Sequence, residues 1–138
     1  MTPETQATVL LLGSEPVNRS ILKEVMQGAG YVVLDAGDLG TAVDLLGQYT
    51  VDLLLTHPYV EDVAGYEAAR FLRARRHGLP VLIVAGFLKD DRLQYTAELE
   101  EFELFPAPFT AAQLVEKVGK VLRTARERGV RHEGRPSA

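Results

Sequence analysis

Cysteine and tryptophan are absent from this 138-residue chain, and its aromatics are five Tyr and five Phe. Without cysteine there is no disulfide, no thiolate nucleophile and no zinc–thiolate site. Long apolar runs are missing as well. The longest uncharged stretch, Leu104 to Val115, spans 12 residues and holds Pro106 and Pro108, whereas a bilayer-spanning helix needs about 20 apolar residues. The opening Met1 to Gln6 has no basic residue and no apolar core, so it does not read as a signal peptide. A cytoplasmic protein is the expectation. What is present is ordinary globular composition, 46% hydrophobic and 25% charged, at a length that suits one domain of roughly 100–150 residues.

The net charge of −4 is unevenly placed. Residues 123–138 carry five arginines against Glu127 and Glu133, a net of +3, while residues 1–122 carry a net of −7. A nucleic-acid reader needs a basic face on its folded body, and this body is acidic. Neither nucleic acid nor membrane is expected as a partner of the domain. The basic end reads as a solvated helix end that runs into a frayed tail. The domain is placed at residues 7–128, and a flexible basic tail at 129–138.

Five short apolar runs recur: Val9–Leu12, Tyr31–Leu34, Leu53–Leu55, Val81–Ala85 and Phe102–Phe105. Continuous runs of this length suit strands buried on both faces, as in a parallel sheet covered by helices. Helical spacing fills the intervals. Val17, Ile21, Val25 and Ala29 form a stripe every four residues, closed by Gly28 and Gly30. Ala42, Val43, Leu45 and Leu46 follow an Asp38 cap, and a third helix runs from about Gly65 to His77 before Gly78 stops it. A fourth is expected over Lys89 to Glu100. Thr110 caps the fifth, whose stripe is Leu114, Val118, Val121, Leu122 and Ala125.

Strict alternation predicts a flavodoxin-like (βα)5 fold: an α/β, three-layer, doubly wound parallel sheet of strand order 2-1-3-4-5. Its crevice lies at the carboxyl ends of the first and third strands, where the winding reverses. Gly13, Ser14 and Glu15 follow the first strand, and Thr56, His57 and Pro58 the third. Glu15 is the one carboxylate near this crevice, and imidazole is a poor ligand for Mg²⁺, so no cofactor and no tight divalent site are expected. No phosphate-binding glycine motif follows the first strand. For a Ser14–His57 pair Glu15 is the only candidate orienting acid and no oxyanion hole can be named, so the chain is not read as an enzyme. A flavodoxin-like ligand- or metal-sensing domain using Ser14, Glu15 and His57 is the alternative reading.

From Ala7 to about Leu122 the sequence resembles a CheY-like receiver domain of two-component response regulators. The resemblance rests on Val9-Leu-Leu-Leu, Ala29-Gly30-Tyr31-Val32-Val33, Asp52-Leu-Leu-Leu, Gly65-Tyr66-Glu67, Leu79-Pro80-Val81-Leu82-Ile83-Val84 and Ala107-Pro108-Phe109. It implies a phosphorelay signalling module. In that family an acidic pair holds Mg²⁺ and an Asp accepts the phosphoryl group, while a hydroxyl residue and a Lys bind its oxygens. Here the acidic-pair positions read Gly13 and Ser14, with Glu15 just beyond. The phosphoacceptor position reads His57, the hydroxyl position Ala85 and the Lys position Ala107. The expectation is a degenerate pocket in a pseudo-receiver that acts through protein–protein contact.

The resemblance implies contact through the face made by the fourth helix, fifth strand and fifth helix. Its expected acidic residues are Asp90, Asp91, Glu100, Glu101 and Glu103, and its basic ones Lys117, Lys120 and Arg123. The partner is a histidine kinase, an effector or a second copy, with at most a weak homodimer. The alternative use of the charges is a local pair of Glu116 with Lys120. Arg70, Arg73, Arg75 and Arg76 are read as complementing a helix dipole. Ending soon after the fifth helix, the chain is expected to act alone or as part of a longer protein.

Overall fold

The computed structural model describes residues 7–13, 15–57, 59–60, 63–85, 102–106 and 109–133. The elements run β1 (Thr8–Leu12), α1 (Pro16–Gly28), β2 (Val32–Ala36), α2 (Leu39–Gln48) and β3 (Leu53–Thr56), then the short β4 (Tyr59–Val60) and β5 (Val63–Ala64). They continue with α3 (Gly65–Arg75), β6 (Val81–Ala85), β7 (Glu103–Pro106) and α4 (Ala111–Glu133). Five strands form one parallel sheet in the order β2-β1-β3-β6-β7, which is the doubly wound 2-1-3-4-5 arrangement.

The apolar runs are continuous because both sides of each strand are covered. Leu10, Leu12, Leu54, Val81 and Ile83 enter the layer under α2 and α3 with Ala42, Leu46, Ala68, Ala69 and Leu72. Their neighbours Val9, Leu11, Leu53, Leu55, Leu82 and Val84 enter the opposite layer with Leu22, Met26, Leu114 and Val118 of α1 and α4. Local chemistry sets the helix ends. The Asp38 carboxylate accepts from Thr41 N at 2.7 Å. At α4, Thr110 Oγ1 accepts from Gln113 N at 3.0 Å while Gln113 Oε1 accepts from Thr110 N at 2.8 Å, a reciprocal capping box. Gly30 and Gly78, just past α1 and α3, take φ of 98° and 79°, which favour glycine.

Two expectations change. The stripe of α1 is not its buried face: Val17 and Ile21 are 65% and 54% exposed, and Leu22 and Met26 fill the core instead. A spacing of four overshoots the 3.6-residue turn by about 40° each time, so the stripe winds around the helix. Only its later members, Val25 and Ala29, pack against the core. Second, α4 runs past Arg128 to Glu133, because arginine and glutamate sustain a helix where apolar periodicity has lapsed. The segment between β3 and α3 adds an antiparallel hairpin pairing Tyr59 with Ala64 and Val60 with Val63. The helix expected over Lys89 to Glu100 lies outside the described residues.

Candidate functional site

The carboxyl ends of β1 and β3 lie side by side, Leu12 in register with Thr56, and place Gly13 beside His57. The His57 N–H donates to Leu12 O at 3.3 Å, and Gly13 N donates to Ala36 O at 3.1 Å. The imidazole lies against Gly13. A Cβ at residue 13 would sit 2.4 Å from His57 Cδ2 and 3.1 Å from Nε2. Gly13 is therefore required by the ring, not by a turn.

His57 is half-buried, and its Nε2 is buried without a hydrogen-bond partner. Burial pushes its pKa below the usual histidine value, and the Arg19 guanidinium pushes the same way against a smaller opposing effect of Glu15. The ring is held neutral.

Arg19, not anticipated from sequence, organises the floor of the crevice. Its NH1 donates to Gly13 O, its Nε donates to Asp35 Oδ2 at 3.4 Å, and its NH1 lies 3.1 Å from where a Cβ on Gly37 would be. Lys23 Nζ adds a second bond to Asp35 at 3.2 Å. Burial alone would raise the Asp35 pKa, but Lys23 and Arg19 hold it below the ordinary carboxylate value. The available signal was an Arg near the start of α1 with a lone Asp at the end of β2, joined only by the pairing of β1 with β2.

Of the remaining predicted pocket residues, Glu15 and Ala85 are described. The Glu15 carboxylate accepts from Val17 N at 2.9 Å and caps α1. Ala85 ends β6, in register with Pro106 of β7. Ser14 and Ala107 lie outside the described residues. Among the described residues no group of three His, Cys, Asp or Glu side chains is placed to hold a metal ion. Gly13 offers no carboxylate and its carbonyl is bonded to the Arg19 guanidinium, a lining that does not fit a hard divalent cation.

On the expected interaction face, Lys117 and Glu103 form an ion pair at 3.1 Å within the chain. Lys120 and Arg123 are exposed, and no Glu116–Lys120 pair occurs among the described residues. The local neutralisation therefore runs between β7 and α4, not along α4. Asp90, Asp91, Glu100 and Glu101 lie outside the described residues. No helix among the described residues is long and apolar enough to cross a membrane.

A doubly wound five-stranded parallel sheet with its crevice at the first and third strands is the flavodoxin-like fold that receiver domains share. The sequence matches the response regulator receiver domain family over residues 9–119, and the chain belongs to that family. It is 29% identical to the chemotaxis protein CheY of Pseudomonas aeruginosa over 116 residues, covering 82% of this chain and 94% of that protein. It is also 29% identical to the transcriptional regulatory protein CpxR of Escherichia coli over 115 residues, 83% of this chain and 49% of CpxR. Against the DNA-binding transcriptional regulator NtrC of Bradyrhizobium it is 24% identical and spans 25% of that protein. Among solved structures, a CheY-like receiver domain protein from Methanospirillum hungatei superposes with a TM-score of 0.81 at 17% identity, covering 89% of this chain and 98% of that one. NtrX from Brucella abortus, in complex with ADP, superposes at 0.86 with 16% identity, covering 96% of this chain and 31% of NtrX.

Proposed function

We propose that this receiver domain is a cytoplasmic protein-interaction module of two-component signalling that does not run phosphoryl transfer and is not an enzyme. The observation that carries the reading is the fit of His57 against Gly13. The position at which the family places its phosphoacceptor Asp holds an imidazole whose charged form is disfavoured, and the position of its metal-binding acid holds a glycine on which any side chain would push that ring away. An acyl phosphate needs a carboxylate nucleophile and a cation to offset the developing phosphoryl charge. Arg19 is committed to Gly13 O and Asp35, and Glu15 to the start of α1.

The chain is treated with Mg²⁺ and acetyl phosphate, or with beryllofluoride, and followed by intact mass and amide NMR. Unchanged mass and an unchanged spectrum around residue 57 are expected. A stoichiometric phosphoryl adduct overturns the reading.

Signalling then depends on surfaces. The β7–α4 face, with Glu103, Lys117, Lys120 and Arg123, is proposed to meet a kinase, an effector or a second copy. The Lys117–Glu103 pair removes two of those charges from intermolecular use, so self-association is weak at most, since exposed pairs contribute about 0.2–1 kcal/mol. Sedimentation at low and high salt, with Lys120→Glu plus Arg123→Glu as control, tests it. A tight dimer indifferent to salt and to both changes refutes this face.

A further inference from the structure

Residues 70–76 contain four arginines, and the structure separates their roles. Arg73 is internal in function: its Nε and NH2 donate to Leu79 O at 3.1 and 3.0 Å, and its guanidinium lies 4.6 Å over the Phe102 ring. Arg76 NH1 donates to the carbonyl of Tyr49 at 3.4 Å. Tyr49 is the C-cap of α2, so this bond joins the ends of α2 and α3. Arg75 lies 4.1 Å over the ring of Phe71.

Complementing the α3 dipole needs cations in the last turn and nothing more. Two further features go beyond it. Tyr49 is 51% exposed and Phe71 42%, and they are the two aromatics among the exposed large apolar side chains of the described residues. The Phe71 ring carries Arg75, while Tyr49 meets Arg76 through its backbone carbonyl, with its side chain exposed beside that bond. Neither Arg75 nor Arg76 has a carboxylate partner among the described residues.

We propose that the joined ends of α2 and α3 form a docking surface for a short acidic polypeptide segment that carries an aromatic side chain. A guanidinium stacked on a ring keeps its N–H edge free, so Arg75 can bond a carboxylate in its plane while Phe71 supports its face. Exposed Tyr, Phe and Arg in one patch match the make-up of interface anchors. The net charge of −7 over residues 1–122 opposes a polyanion laid across an extended surface, as nucleic acid is, and leaves this cationic corner to a short segment. The patch sits where β3 and β6 begin, at the sheet end opposite His57, and is independent of the crevice and of the β7–α4 face.

The test titrates the full ¹⁵N-labelled chain with a short synthetic peptide of Glu and Asp around one Tyr, and separately with single-stranded oligothymidylate. Saturable amide shifts confined to Tyr49, Phe71, Arg75 and Arg76 are expected with the peptide alone. Arg75→Glu and Phe71→Ser, both at exposed positions, are each expected to weaken peptide binding about tenfold or more with the melting midpoint little changed. Absent or scattered shifts, binding indifferent to both substitutions, or equal binding of oligothymidylate at the patch overturns the proposal, the last by assigning it to nucleic acid.

Discussion

Gly13→Ala isolates the contact on which the reading of the crevice rests. Gly13 has no positive φ, so the backbone accepts alanine, and loss of unfolded-state freedom alone would stabilise the protein by about 0.4–1 kcal/mol. The added Cβ, however, falls 2.4 Å from His57 Cδ2, whereas carbon atoms rest about 3.5–4.0 Å apart. The ring must retreat by roughly 1 Å or swing into solvent and surrender its burial. Overpacking of this kind costs about 1–3 kcal/mol, which lowers the melting midpoint by several degrees. Differential scanning calorimetry of wild type, Gly13→Ala, His57→Ala and the double variant closes a cycle. With the imidazole gone, alanine at 13 should be neutral or stabilising, giving a coupling of about 1 kcal/mol or more. If Gly13→Ala costs the same in both backgrounds, or costs nothing in either, the ring does not occupy the space above Gly13.

Because the folded pKa of His57 lies below its ordinary value of 6.5, the unfolded chain binds more protons between the two values. Its contribution is therefore full above about pH 6.5 and is lost as pH falls toward the folded value; urea melts across this range should show the decline, and His57→Gln should flatten it. Met26→Ala in α1 should cost about 2–5 kcal/mol as a buried truncation, while Ile21→Ala should cost under about 0.5 kcal/mol; equal costs would restore the four-residue stripe as the buried face. Thr110→Ala should remove about 1 kcal/mol by opening the capping box, read from thermal melts, and Gln113→Ala should add little once Thr110 is gone.

Much of this molecule is decided locally. Val-Leu-rich runs with apolar side chains at every position can be satisfied only by a sheet covered on both faces, and their alternation with helices leaves one ordinary winding. Asp38, Thr110 and Gly78 mark helix ends through contacts a few residues away, so they too are legible in the sequence.

The crevice is not local. Gly13 and His57 belong to different strands, and only the register of β1 with β3 presses one against the other. The reach of Arg19 to Asp35 depends likewise on the pairing of β1 with β2, and that of Lys117 to Glu103 on where α4 lies over β7. The sequence by itself determined the five strands of the parallel sheet, the four described helices, their order and the residue types at the crevice. Tertiary structure alone decided which face of α1 is buried, which charges neutralise each other, and that an imidazole and a glycine fill one space, because packing across strands is set by register and helix rotation, which short-range patterns do not encode.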